Sequence, residues 1–247
     1  MSEKNKKSQT SGTLFIVATP IGNMGDLTFR AKEILGTSDI IVAEDTRTTK
    51  KIFNAYEIPM EGKFFWSHHA KSSEKSMEKI FSALDEGKNI AFVSDAGTPG
   101  ISDPGTKVVG EVITRGFQVS PIPGASAIIS ALSVSGLPTD RFTFLGFMPH
   151  KKGRQTLMKE IAEAEYTMCF YESVHRISKC IDEMQEYFPE KILCIAREIT
   201  KKFEDIERGT PEYFQKKFLE NPDQKKGEFV VLVSGKKFSK KYDELNG

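Results

Sequence analysis

Three short runs constrain this chain most: Leu14-Phe15-Ile16-Val17-Ala18, Ile40-Ile41-Val42-Ala43 and Ile90-Ala91-Phe92-Val93 are apolar at every position. A strand with one wet face alternates polar and apolar residues, so a run apolar throughout is a strand buried on both faces. Helical stretches separate the runs. Leu27 to Leu35 is one, closed by Gly36. Ser73 to Glu86 is another, with Ser72 or Ser73 as its cap and Gly87 at its end. Phe64-Phe65-Trp66 and Phe117 to Ile122 add two further strands, and Thr106 to Arg115 adds a helix. This alternation predicts a parallel sheet with helices on both faces.

The segment Pro121-Ile122-Pro123-Gly124-Ala125-Ser126-Ala127 punctuates the chain. A domain junction is expected after Ile122. Beyond it, strands are expected at Phe142 to Phe147, Thr167 to Tyr171, Ile192 to Ala196 and Phe229 to Val233. Helices are expected at Arg154 to Ala164, Val174 to Tyr187 and Pro211 to Leu219. The fold class is therefore α/β, with a first α/β domain at 12–122 and a second, on a mixed sheet, at 123–235. A polar tail at 1–11 and a basic tail at 236–247 flank them.

Composition narrows the function classes. The formal net charge of the 247 residues is +1, so no global field attracts a polyanion. Nucleic-acid binding would need local patches, and lysines do cluster: Lys151, Lys152 and Arg154; Lys201 and Lys202; Lys236, Lys237, Lys240 and Lys241. Cys169, Cys180 and Cys194 give an odd count without C-x-x-C spacing, which argues against a disulfide framework and a zinc site. No metal-ligand pattern holds the four histidines. No apolar run reaches the ~18 residues of a membrane span, and the lysine-rich start lacks an apolar signal region. A reducing cytoplasm is the expected compartment.

Chemistry-bearing residues gather where the apolar strands end. Ser94-Asp95-Ala96-Gly97-Thr98-Pro99-Gly100-Ile101-Ser102-Asp103-Pro104-Gly105 follows Ile90–Val93. Its glycines permit close backbone approach to a ligand, and Asp103-Pro104 reads as a helix start. Thr19-Pro20-Ile21-Gly22-Asn23-Met24-Gly25-Asp26 follows the first strand and matches neither G-x-G-x-x-G nor a P-loop, so an ordinary dinucleotide site is unsupported. Ala43-Glu44-Asp45-Thr46-Arg47-Thr48-Thr49 crowds two carboxylates and an arginine at the second strand's end. Phe170 to Arg176 and Ala196 to Lys202 repeat the pattern in the second half. Polar clusters at several strand ends are what an active site in a sheet crevice looks like.

Together these segments resemble the tetrapyrrole methylase superfamily, the class III S-adenosylmethionine-dependent methyltransferases. The resemblance is carried by Ala18 to Asn23 with Asp26 to Ala31, Glu44 to Thr48, the 94–105 loop, Pro123 to Ala127, Tyr171 to Arg176, Arg197 to Lys201 and Lys226 to Val230. Within the superfamily the chain is similar to the branch that methylates a ribose 2′-hydroxyl in small-subunit ribosomal RNA. Where the wider superfamily has a more glycine-rich first loop, Ala18 and Pro20 stand here and Asn23 replaces an acid, which argues against a tetrapyrrole substrate.

The resemblance implies two α/β domains with a ligand cleft between them and S-adenosylmethionine as methyl donor. Pro20, Gly22, Asp95, Ala96, Gly97, Ala125, Ser126, Tyr171, Ala196 and Glu228 would bind the donor. It further implies 2′-O-methylation of a cytidine in the decoding region of 16S rRNA, on the assembled small ribosomal subunit, by a homodimer with no metal and no membrane partner. Glu44, Asp45 and Arg47 are the candidate catalytic group. Glu172, His175, Arg176, Arg197 and Lys201 are candidate substrate contacts. Glu44, Asp45, Glu172, His175 and Glu198 all stay open as the general base. A small-molecule methyltransferase of the same fold, on a tetrapyrrole-type ring, is the alternative; a non-enzymatic ligand-sensing protein is a second.

Overall fold

The computed structural model describes residues 11–69, 74–103 and 105–238. All but the last residue of the expected tail at 1–11 and most of that at 236–247 lie outside the described residues, as do the Ser72/Ser73 cap and Pro104. The chain forms two compact units that divide between Ser126 and Ala127, four residues past the expected junction. The added residues belong to the first unit for a physical reason. Thr98 Oγ1 donates to Ala125 O (3.2 Å), and Gly124 lies so close to Ala18 that a Cβ there would sit 2.9 Å from the Ala18 methyl.

The first unit runs β1 (Thr13–Val17), α1 (Phe29–Thr37), β2 (Ile40–Ala43), α2 (Thr46–Ala55), β3 (Phe64–Ser67), α3 (Glu74–Asp85), β4 (Ile90–Val93), α4 (Thr106–Thr114) and β5 (Gln118–Ile122). Its five strands are all parallel, in the order β3-β2-β4-β1-β5. The two-residue period of a strand splits the apolar runs between two cores. Leu14, Ile40, Val42, Ile90 and Phe92 pack with Met77, Ile80, Phe81 and Leu84 of α3 and Val108 and Val112 of α4. Their sequence neighbours Val17, Ile41, Ala43, Ala91 and Val93 pack with Ala31 and Leu35 of α1 and Ile52 and Phe53 of α2. Each fully buried Val, Leu, Ile, Phe or Met among them contributes about 1.5–3 kcal/mol.

Three local readings change. α1 starts at Phe29 rather than Leu27, because the Thr28 hydroxyl accepts from Ala31 N–H (3.1 Å) and caps the helix there; Met24–Asp26 forms its own short turn. The polar stretch after β2 continues into a helix, α2, that was not expected. α4 begins at Thr106, capped by Gly105 without a side-chain bond, so Asp103 is not its cap and instead faces the Ser94 hydroxyl.

The second unit runs α5 (Ala127–Ser135), β6 (Phe142–Phe147), α6 (Arg154–Glu163), β7 (Thr167–Ser173), α7 (Ile177–Tyr187), β8 (Leu193–Arg197), β9 (Asp205–Gly209), α8 (Pro211–Glu220) and β10 (Glu228–Val233). The sheet order is β6-β7-β10-β8-β9, parallel only between β6 and β7. It is the expected mixed sheet with one strand more. β9, Asp-Ile-Glu-Arg-Gly, is charged because it is an edge strand, and charge on an edge discourages pairing with another chain. α5, Ala-Ile-Ile-Ser-Ala-Leu-Ser-Val-Ser, mixes serine and apolar residues without a clear face. α7 starts at Ile177, not Val174, because β7 stays paired with β10 as far as Ser173 and the chain then turns, with Arg176 N–H donating to Ser173 O (3.0 Å). Met168, Phe170, Leu193, Ile195, Phe229 and Val231 form one core with α6, α7 and α8. The three cysteines are free and buried; burial pushes Cys169 and Cys180 up to about 12 and Cys194 to about 11, so they behave as core residues.

Lys191 is the unusual member of this core. Its buried ammonium donates to Ile161 O (2.7 Å) and Ala164 O (3.2 Å), two carbonyls at the end of α6. Burial lowers its pKa to about 8. Lys191→Met would leave both carbonyls without this partner and should cost about 1–3 kcal/mol in urea unfolding at pH 7. Between about 8 and the ordinary lysine value of 10.5 the unfolded chain holds more protons than the folded one. Wild-type stability, measured against Lys191→Met, should therefore rise through that window; a flat difference would contradict the burial argument.

Candidate active site

The topology of the first sheet creates a crevice by itself. From β1 the chain crosses past β4 to β2, with α1 on one face. From β4 it crosses past β1 to β5, with α4 on the other. Neighbouring β1 and β4 therefore send their following segments apart. Outside such carboxyl ends open α/β sheets bind ligands.

The loops past this point are stitched together by backbone. Thr19 N–H donates to Gly97 O (2.9 Å), and Gly97 N–H returns a bond to Thr19 O (3.0 Å). Thr19 Oγ1 donates to Ser94 O (3.3 Å), and Ser94 Oγ donates to Ala96 O (3.2 Å). Gly97 takes φ +78°, where a Cβ would sit 3.2 Å from Ile21 Cγ2; only glycine meets both demands easily. With the Thr98–Ala125 bond, these contacts gather Pro20, Gly22, Asp95, Ala96, Gly97 and Ala125 into one constellation, with Ser126 next in chain. Pro20 and Gly97 are buried, while Gly22, Asp95 and Ala96 are exposed. A backbone cradle with an exposed rim suits a small polar ligand.

Acidic groups border it. Asp45 N–H donates to Asp95 Oδ1 (3.0 Å), which joins the ends of β2 and β4. Burial, then the Asp95 charge, raises the Glu44 carboxyl above its ordinary value, with His69 opposing. Burial likewise raises Asp103, against the Ser94 hydroxyl and with Glu44 and Asp95 adding to the rise. His69 was not among the expected site residues; its position two residues past β3 is the signal that could have found it.

Glu44, Asp45 and Arg47 differ in their surroundings. Asp45 is the α2 cap, accepting from Arg47 N–H (2.8 Å), and its carboxylate also pairs with the Arg47 guanidinium (2.7 Å). These bonds hold Asp45 down to about 2, and a carboxylate that acidic is a weak base. Arg47 is largely solvated apart from this pair. Glu44 alone of the three combines partial burial with a raised pKa.

In the second unit Tyr171, Val230 and Ala196 lie opposite one another across β7, β10 and β8. The Tyr171 ring sits between Phe144 (5.1 Å) and Phe147 (5.3 Å). Glu228 at the start of β10 joins a charged knot. Lys201 Nζ lies 2.8 Å from Glu228 Oε2 and 3.0 Å from Glu198 Oε1, and Glu228 N–H donates to Glu198 Oε1 (2.9 Å). Gly227 makes room for it, since a Cβ there would meet the Glu198 side chain at 2.6 Å. Arg197 is tied to Lys226 O (3.3 Å).

Glu172 and Arg176 are placed in structure rather than at a surface. The Glu172 side chain is fully buried between Arg176 (2.7 Å) and Arg154 (3.4 Å), and Arg154 also pairs with Glu183 (2.7 Å). A fully buried carboxylate held by two guanidiniums cannot also reach a polymeric substrate. His175 between them is exposed.

Comparison with known proteins agrees with this architecture. The family model for Tetrapyrrole (Corrin/Porphyrin) Methylases matches residues 13–213, so the chain belongs to the tetrapyrrole methylase family. Among solved structures it superposes on the methyltransferase CobJ with a TM-score of 0.66 at 19% identity, covering 92% of this chain and 95% of that one. A Thermus thermophilus uroporphyrin-III C-methyl transferase complexed with S-adenyl homocysteine aligns at a TM-score of 0.59 and 15% identity, over 90% and 97%. At these identities the likeness establishes the fold. Sequence relatives are nearer: the ribosomal RNA small subunit methyltransferase I of Xylella fastidiosa is 45% identical over 92% of this chain and 82% of its own length. That of Haemophilus influenzae is 42% identical over 96% and 83%.

The two readings of the 172–176 segment separate by mutation. Glu172→Ala would take the carboxylate from half-buried Arg176 and leave buried Arg154 with Glu183 alone, and should cost about 3 kcal/mol of stability. His175→Ala, at an exposed position, should stay within about 0.5 kcal/mol. Denaturant titration of both variants checks this; equal, small effects would return Glu172 to the list of surface contacts.

Proposed function

We propose that this chain methylates a ribose 2′-hydroxyl of small-subunit ribosomal RNA, a cytidine in the decoding region of 16S rRNA, using S-adenosylmethionine. The observation that carries the reading is the name shared by its relatives at above 40% identity over most of the chain. The site chemistry supports it. S-adenosylmethionine supplies an electrophilic methyl group on a sulfonium. The Thr19–Gly97 cradle fits the polar end of such a molecule: Gly97 leaves no side chain where the loops meet, and the backbone of Asp95 and Ala96 is exposed beside it. Tyr171, Ala196 and Glu228 are also proposed to bind S-adenosylmethionine, and His175, Arg197 and Lys201 to contact RNA.

A ribose hydroxyl is a poor nucleophile until its proton is taken up as the new C–O bond forms. Glu44 is the proposed acceptor. Its carboxyl is half-buried and raised by burial and by Asp95, so it binds a proton more readily than an exposed glutamate. In the transfer the O–CH₃ bond forms as the CH₃–S bond breaks, the hydroxyl proton passes to Glu44, and S-adenosylhomocysteine leaves. Asp45 is a positioning residue that caps α2 and, through its N–H, fixes Asp95. The assembled small subunit is the proposed substrate, met in the cytoplasm by a homodimer, because near-zero net charge gives little pull on naked RNA.

The test uses small subunits from cells lacking the chain, incubated with protein and methyl donor and digested for mass mapping of ribose methylation. One new 2′-O-methylcytidine should appear. Glu44→Gln should lower kcat by about 10²–10⁴-fold. Asp45→Asn should stay near wild type, since asparagine caps a helix as well as aspartate. The acid limb of the wild-type kcat profile should lie above the ordinary glutamate range, because loss of the base follows protonation of a raised carboxyl. Unmodified rRNA alongside a methylated tetrapyrrole-type ring would favour the small-molecule alternative.

A further inference from the structure

The buried ion network around Glu172 holds something in place. Arg176 Nη1 donates to Met148 O (2.8 Å) and Arg154 Nη1 donates to Pro149 O (3.0 Å). One buried and one half-buried guanidinium thus grip consecutive carbonyls of the segment that leaves β6. Glu172 and Glu183 neutralise them. A buried ion network is seldom more stabilising than apolar packing of equal volume, so its gain lies in fixing geometry. What it fixes is Met148-Pro149-His150-Lys151-Lys152-Gly153.

The outer side chains of this segment are cationic and solvated. Lys151 and Lys152 are exposed, and among the described residues neither has a carboxylate partner. Several other lysines of the unit are paired: Lys201 faces Glu228, Lys226 faces Asp223, Lys236 faces Glu163 and Lys237 faces Glu165. Lys159 and Lys202 are exposed without such a partner among the described residues, but neither lies on a segment held by the clamp. β6 and β7 are parallel neighbours, so exposed His175, just past β7, lies at the same end of the sheet. The arm leads into α6, whose first turn has no side-chain cap. The positive end of that helix adds to the lysine field. The clamp is neutral overall, so it does not cancel that field.

We infer that Met148–Gly153 is a pre-set cationic arm that binds the phosphate backbone of RNA through Lys151 and Lys152, with Glu172, Arg154 and Arg176 as its positioning residues. This rests on the rRNA reading above. Holding the arm in advance removes the cost of ordering it on binding. Two lysines and a histidine are too few for a membrane surface, where clusters of about four to eight basic residues are needed. They suit one or two phosphates.

The experiment measures binding of the full-length protein to purified small subunits across a salt series, with S-adenosylhomocysteine affinity measured in parallel. Lys151→Ala/Lys152→Ala should weaken subunit binding about ten- to thirtyfold at 0.1 M salt. It should flatten the slope of log K against log salt by about 1.4–1.8, the loss of two phosphate contacts. S-adenosylhomocysteine affinity should not change. Lys236→Ala/Lys237→Ala removes the same charge from lysines already paired, and should leave the slope near wild type. Glu172→Gln, which keeps both lysines but loosens the clamp, should weaken subunit binding while S-adenosylhomocysteine affinity holds. An unchanged slope in the 151/152 variant, or equal slopes in both lysine variants, overturns the inference and leaves the rRNA reading standing. Absence of subunit binding by the wild type overturns both.

Discussion

The reciprocal backbone bonds between Thr19 and Gly97 are the constraint on which the candidate site depends. Two neighbouring parallel strands whose chains then diverge would leave their loops free to part. This pair holds them at hydrogen-bond distance, and Gly97 accepts the positive φ that the geometry demands. Thr19 adds a side-chain bond to Ser94 O, and Thr98 adds one to Ala125 O. Three loops from β1, β4 and β5 thereby become one rigid surface. The apolar strands beneath supply the stability that lets such polar loops stay ordered.

Charge is handled differently in the two units. At the carboxyl end of the first sheet, burial raises Glu44 and Asp103, and the carboxylates near them add to the rise. Asp45 escapes this because Arg47 and the α2 amides hold it down. Adjacent residues of one motif thus acquire opposite characters, one disposed to take a proton and one to cap a helix. In the second unit each buried or half-buried acid has a cation beside it. Glu172 lies between arginines, and Glu198 shares Lys201 with Glu228. Burial works against ionised Glu198, but the bonds from Glu228 N–H and Lys201 leave its pKa lowered. Such networks fix geometry, and the segments they fix are the ones that carry exposed charge.

Much of this was legible in the sequence. Runs apolar at every position dictated a doubly covered parallel sheet, and the two cores divide those runs by alternate residues. The glycine-rich loop after β4 marked the cradle. Three features were less accessible. β9 is a charged edge strand, Asp-Ile-Glu-Arg-Gly, that pairs with β8 directly before it and lacks the apolar run that marks the other strands. α2 was hidden because its first turn, Thr-Arg-Thr-Thr, has poor intrinsic helix propensity and relies on the Asp45 cap. The roles within Glu44–Arg47 and Glu172–Arg176 depend on burial and on distant partners. Arg154 reaches Glu172 across eighteen residues, which residue type and spacing do not reveal.

The claim that the Thr19–Gly97 crevice holds the methyl donor is tested most directly by amide hydrogen exchange, with and without S-adenosylmethionine. The account predicts that peptides covering 18–22 and 94–98 gain protection together on ligand addition, while the α3 surface around 78–86 does not. Full occupancy of the ligand with no added protection at 18–22 and 94–98 would contradict it.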